Sequence, residues 1–172
     1  DTLNDFLDDM LGNDRFNKNF ERYLESCLAL GGLAMRPYVD GDKIRVAFIQ
    51  APVFLPLQSN TQDVSSAAIL TKTIKSESKK NVYYTLVEFH EWVTQDGQEV
   101  GSTKDKNLYR ITNELYKSTS DSTLGDRVNL SELYPDLQPV TTIQGLSRPL
   151  FVYLKTPGMN NKDINSPLGL SI

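Results

Sequence analysis

The residue best equipped to do chemistry in this chain is its single histidine. His90 stands in the run EFHEW, with Glu88 and Glu91 close by. An imidazole among carboxylates could serve as a general base or contribute to a zinc site. The spacing supports neither. The H-E-x-x-H pattern needs a second histidine at position 94, and Thr94 occupies it. The run also reads as a strand, on which His90 and Glu91 point to opposite faces. Glu88 and His90 share a face, where two such groups read as a surface pair. A serine or cysteine nucleophile would need this same histidine as its base. The one cysteine, Cys27, falls on an apolar helical stripe and reads as a buried, inert thiol.

Other constellations fare no better. The run DGDK (40–43) begins like a calcium loop, but Arg45, Val46 and Phe48 follow where oxygen ligands are required. The two glycines of LALGGLAM follow a helical pattern and lack the Lys-Ser/Thr of a phosphate loop. Lys72, Lys75, Lys79 and Lys80 form the best nucleic-acid candidate. No aromatic residue interleaves them for base stacking, and they read as a solvated strand edge. With 18 basic against 22 acidic residues, the net charge of −4 argues against a surface built to wrap phosphate backbones. The expectation is no catalytic residue, no metal, no cofactor, no small-molecule substrate and no membrane. Acids are plentiful, so a carboxylate-based enzyme site stays open as an alternative.

The elements that would carry any site come in a clear order. Leu3, Phe6, Leu7, Met10 and Leu11 recur at helical steps over residues 2–11. A second helix carries Phe16, Phe20, Tyr23, Leu24, Cys27 and Leu28, and Gly31-Gly32 stops it. The grammar then changes to strands. LAMRPYVDGDKIRVAFIQ predicts a hairpin with Asp40-Gly41 as its turn. That register would set Pro37 opposite Ile44, Met35 opposite Val46 and Leu33 opposite Phe48 on an apolar face. It would also set Arg36 opposite Arg45, a like-charge pair in need of an acidic neighbour or solvent. QAPVFLPLQSN reads as an irregular apolar connection. Strands follow at about 67–75, 82–93 and 108–117, with Tyr83, Val87, Phe89 and Val93 as the more apolar face of the second. A turn of helix is expected at Leu130–Leu133, and LFVYLK (150–155) reads as a central strand. The fold class is α+β: two N-terminal helices (1–32), then a mainly antiparallel, hairpin-rich β region (33–172), in one domain.

Five stretches resemble a known family in order along nearly the whole chain. They are ERYLESCLALGGLAMRPYVDGDKIRVAFIQAPVFLPL, YYTLVEFHEW, YRITNELYKS, LGDRVNLSELYPDL and GLSRPLFVYLKTPGMNNKDINSPLGLSI. The chain resembles the portal proteins of tailed bacteriophages of Gram-positive hosts, also called phage minor capsid proteins. The resemblance implies a structural, non-enzymatic part of the virion, made in the host cytoplasm. It implies a ring, usually dodecameric, at a capsid vertex, through which DNA is packaged and ejected. Terminase, scaffold or capsid, and head-completion proteins are the implied partners besides other copies of the chain. By the same mapping, the chain is the wing that precedes the stem, excised from a longer polypeptide. Another phage head protein, an adaptor or minor capsid subunit, is the alternative. In a ring each subunit presents two different patches. Arg36 with Arg45, or the connection Val53, Phe54 and Leu55, is the expected subunit interface.

Overall fold

The computed structural model describes residues 2–8, 11–12, 16–59, 63–77, 80–94 and 108–158. The chain divides into two compact units, residues 1–54 with 150–172, and Leu55–Pro149.

The first unit holds the helices α1 (Thr2–Asp8) and α2 (Phe16–Leu30) and a three-stranded antiparallel sheet. Its strands are β1 (Gly32–Asp40), β2 (Lys43–Gln50) and β9 (Val152–Lys155), in the order β2-β1-β9. Helix α2 lays its Phe16, Phe20, Tyr23, Cys27 stripe toward the sheet. The Tyr23 ring stacks on Phe48 of β2 at 5.0 Å, and Phe16 reaches the same ring at 5.5 Å. Gln50 Nε2 donates to Ser26 Oγ at 2.9 Å. The backbone N–H of Gly31 then donates to Cys27 O, and the helix stops where the glycine pair predicts. Behind the sheet, Phe54 stacks on Tyr153 at 4.9 Å and meets Phe151 edge-on at 5.4 Å.

The second unit is a six-stranded antiparallel sheet. Its strands are β3 (Phe54–Ser59), β4 (Val64–Glu77), β5 (Lys80–Val93), β6 (Leu108–Ser118), β7 (Asp126–Val128) and β8 (Val140–Gln144). The order is β3-β4-β5-β6, with β7 and β8 sharing the far edge of β6. One face is covered by residues 128–137. Leu130 lies in the core with Val82, Tyr84, Leu86 and Leu115, and Leu133, Tyr134 and Leu137 pack against them. The expected turn of helix is a 3-10 turn at Leu130–Glu132, capped by Asn129, whose Oδ1 accepts from the Ser131 N–H. Asn113 pins the end of this strap: its backbone N–H donates to Pro139 O and its Nδ2 to Gln138 O, both at 2.8 Å.

The expected pair of N-terminal helices requires correction. The chain is mostly antiparallel strand with one substantial helix, α2; α1 is a stub of seven residues. Under two turns of helix gain too few internal hydrogen bonds to stand alone. Leu7 and Leu11, placed on the buried stripe by their spacing, are exposed, and Met10 lies outside the described residues. The central strand is also not the one expected. β9 is a four-residue edge strand with Val152 58% exposed, whereas β5 pairs on both sides and is buried on both faces. On β5 the even positions, expected to be the mixed face, are buried from Val82 to Trp92. The connection 51–59 is a 3-10 turn at Ala51–Val53 running into β3. Pro52 suits the first turn of such a helix, and Pro56 is tolerated because β3 is an edge strand.

Gly32 and Tyr153 depend on each other. A Cβ on Gly32 would run into the Tyr153 hydroxyl. That hydroxyl is buried without a hydrogen-bond partner among the described residues. Burial, with the Cys27 thiol nearby adding to it, pushes the Tyr153 phenol up to about 12. In urea unfolding, Tyr153→Phe should therefore be neutral or stabilising by up to about 1 kcal/mol, since no hydrogen bond is lost. Gly32→Ala should cost roughly 1–3 kcal/mol through overpacking, and adding Tyr153→Phe should recover part of that. A Tyr153→Phe protein destabilised beyond about 1 kcal/mol would show that the hydroxyl has a partner.

Candidate subunit interface

The hairpin of β1 and β2 carries the two arginines. Its turn is Gly41-Asp42, with Asp40 opposite Lys43. The predicted turn lies one residue earlier. Gly41, at φ +64, takes the first turn position, where a primed turn demands positive φ. The shift moves each residue's partner by two, so the faces survive while the pairs change. Arg36 stands opposite Ala47, and Arg45 opposite Tyr38. No arginine faces another. Arg45 Nε lies 2.7 Å from Asp40 Oδ2, which supplies an acidic neighbour within the hairpin itself. Both side chains are well exposed, so the pair is worth about 0–1 kcal/mol. The Arg36 guanidinium lies over the Tyr38 ring at 5.9 Å.

The opposite face of the hairpin is apolar as predicted; α2 packs on it at Phe48, while its distal end is exposed. β9 pairs with Gly32–Met35 and goes no further along β1. Beyond it, Pro37 is exposed, Ile44 is 40% exposed and Val39 is 74% exposed. The distal hairpin is thus a two-stranded arm, cationic on one face and apolar on the other. Nothing in the spacing of Val39 and Ile44 distinguishes them from core residues, because alternation gives a face and not what covers it.

The second candidate patch separates by burial. Phe54 is 1% exposed and belongs to the aromatic core of the first unit, Val53 is half-buried, and Leu55 is 47% exposed. Leu57, two residues on along β3, is 48% exposed. Leu55 and Leu57 thus leave an apolar edge on β3.

His90 is a core histidine. It is 2% exposed, and its Nδ1 shares a hydrogen bond of 2.9 Å with the Tyr109 hydroxyl. Glu88, also buried, lies on the same face two residues away, so the expected surface pair is an interior one. The Trp92 ring meets Tyr109 edge-on at 4.9 Å. Cys27 is buried as predicted, and burial pushes its thiol up. Among the described residues, no group of three or more His, Cys, Asp or Glu side chains could hold a metal ion. Among the same residues, no helix is long and apolar enough to cross a membrane.

A polar cluster joins the β4–β5 end to β6. The Tyr84 hydroxyl donates to Glu77 Oε1 at 2.8 Å, and Lys117 Nζ donates to Glu77 Oε2 at 3.2 Å. Lys117 Nζ also lies 3.8 Å from Glu132 Oε2 and 5.2 Å from the centre of the Tyr84 ring. The Tyr84 hydrogen bond, with Lys117 second, holds the Glu77 carboxyl below the ordinary range. Tyr84 and Glu77 together hold the Lys117 ammonium above its ordinary range. The arrangement cross-links three strands, and its donors and acceptors are engaged with one another.

Residues 1–166 match the family model described as phage portal protein, SPP1 Gp6-like. The chain belongs to that family. No curated protein and no solved structure matches the chain. Membership gives it a structural role in the phage portal and a place in the virion. The portal family is structural and non-enzymatic, which agrees with a histidine spent on packing.

A depressed carboxyl stabilises the fold above its unfolded pKa, near 4.3, and loses that contribution as pH falls through its folded value. A raised lysine contributes below about 10.4 and loses it as pH rises. The Glu77–Lys117 contribution therefore fills the window between, and Glu77→Gln should reduce stability more at pH 7 than at pH 3. Urea midpoints at the two pH values test this. An equal deficit at both would mean that Glu77 acts by packing.

Proposed function

We propose that the chain is the outer, wing-like part of a portal subunit, without catalytic activity, in a ring through which DNA enters and leaves the capsid. The family match over residues 1–166 carries this reading. Dodecamer formation and contacts with terminase, scaffold and head-completion proteins belong to the same proposal. Neighbouring subunits would meet at the face of Arg36 and Arg45 and at the connection Val53, Phe54 and Leu55. Two observations support these patches. The arm carrying the arginines keeps Val39 and Ile44 exposed, and Leu55 with Leu57 leaves an apolar edge on β3. Clustered exposed apolar side chains mark a contact surface, and on the arm they stand on the face opposite the arginines. Phe54 would act from beneath, fixing Val53 and Leu55 through its stack on Tyr153.

Negative-stain electron microscopy of a full-length portal protein carrying this chain tests both levels. Wild-type protein should form closed rings with a central hole. Arg36→Glu with Arg45→Glu should abolish or fragment them while the protein stays folded, because both side chains are only half-buried and the Arg45–Asp40 pair they disturb is worth little. Normal rings from the double variant would remove the arginine face from the interface. Wild-type protein that stays monomeric at every salt and concentration would favour an adaptor or minor capsid subunit.

A further inference from the structure

β4 is fourteen residues long, and its outer neighbour β3 has only six. With four residues separating the two strands in sequence, β3 runs beside the first half of β4, and no other strand among the described residues pairs with the rest of that edge. Burial follows that division. Ser66, Ala67, Ala68 and Ile69 are buried, whereas from Thr71 to Glu77 every residue but Thr73 is exposed. The open half is not frayed. It stays in register with β5 to the end, through Ile74 opposite Tyr83 and Glu77 opposite Lys80. A straight, preformed strand edge presents a row of outward backbone N–H and C=O groups, ready to pair with another chain.

The side chains on this edge specify what could pair. Ile74 is 62% exposed in the middle of the open half. A β-branched apolar residue there gains burial once a further strand lies alongside. Lys72 and Lys75 flank it, both exposed. The Lys72 ammonium donates to the Asp121 carbonyl oxygen at 3.1 Å, a neutral acceptor. Glu77, the one carboxylate of the stretch, is held by Tyr84 and Lys117. A second copy of the same edge is disfavoured. The antiparallel register that matches Leu70–Glu77 with itself sets Lys72 opposite Lys75 on both copies. Lysines on an edge reject like partners and still admit an acidic one.

We propose that the open half of β4, Leu70–Glu77, is a strand-addition site for an extended, acid-bearing segment of a partner protein. An antiparallel strand would set an apolar side chain opposite Ile74. One acid would then lie one residue before it, opposite Lys75, and another two residues after it, opposite Lys72. The ligand pattern is thus acid–apolar–any–acid, read by backbone pairing with charge at two positions. This is independent of the ring proposal, because the edge lies on a different strand from the arginine arm and from Val53–Leu55.

The test uses the 172-residue chain, isotope-labelled, with the hexapeptide Thr-Glu-Val-Thr-Glu-Val at millimolar concentration, and Thr-Lys-Val-Thr-Lys-Val as its counterpart. The acidic peptide should shift the amide resonances of Leu70–Glu77 and slow their hydrogen exchange; the basic one should not. Lys72→Glu with Lys75→Glu should weaken the acidic peptide at least about fivefold while the dispersed amide spectrum of the free protein shows that it stays folded. No response on β4 to the acidic peptide would overturn the site. Equal responses to both peptides would overturn the charge selection. Protection of β4 that grows with protein concentration without peptide would assign the edge to a second copy.

Discussion

The second unit depends on one constraint, the hydrogen-bonded pairing of β5 on both of its edges over almost its whole length. Eleven consecutive positions of β4 and eleven of β6 are in register with it. Between Val82 and Val93 both faces of β5 are also largely covered, so its polar residues need internal partners or must lie where a neighbour supplies one. That is why His90, Glu88 and Thr85 are interior groups although their letters read as surface. The backbone groups of this unit that are free to pair likewise lie on the outer strands, where pairing stops.

Much of this was legible in the sequence and some was not, for identifiable reasons. The three long strands and the 3-10 turn after Asn129 were predicted because alternation and turn residues are local signals. The faces of the arm hairpin were right while its pairs were not, since a glycine can take either turn position and only the observed φ decides. The rank of strands in a sheet was misread. Apolarity on both faces marks burial from any cause, and at residues 151 and 153 the cause is the stack on Phe54 rather than a strand on each side. The first helix failed because a periodic stripe predicts a face but gives no information on whether anything packs against it.

The residues of the proposed interface were legible only as chemistry. Like-charged arginines in one hairpin pointed to a need, and the structure meets part of that need with Asp40. Val39, Ile44 and Leu57 gave no such signal, because an apolar residue on a strand is the ordinary case and its exposure is a property of the assembled sheet. A subunit interface, as proposed, would supply what the letters alone cannot, a reason for a folded chain to keep such residues uncovered.

The closing strand of the small sheet has a consequence for the order of events. β9 enters the chain more than a hundred residues after the strand it joins, with Gly32 paired to Lys155, and everything from Leu55 to Pro149 is an insertion between them. The inserted sheet is contiguous and can form as its own residues emerge from the ribosome. The unit that hosts it has its helix, its hairpin and half of its aromatic stack in hand early, and waits for the stretch around Phe151 and Tyr153 to arrive. During that interval Phe54 and the outer edge of β1 stand bare. The nascent chain is most vulnerable to misassociation then, before it has any neighbour in a virion to meet.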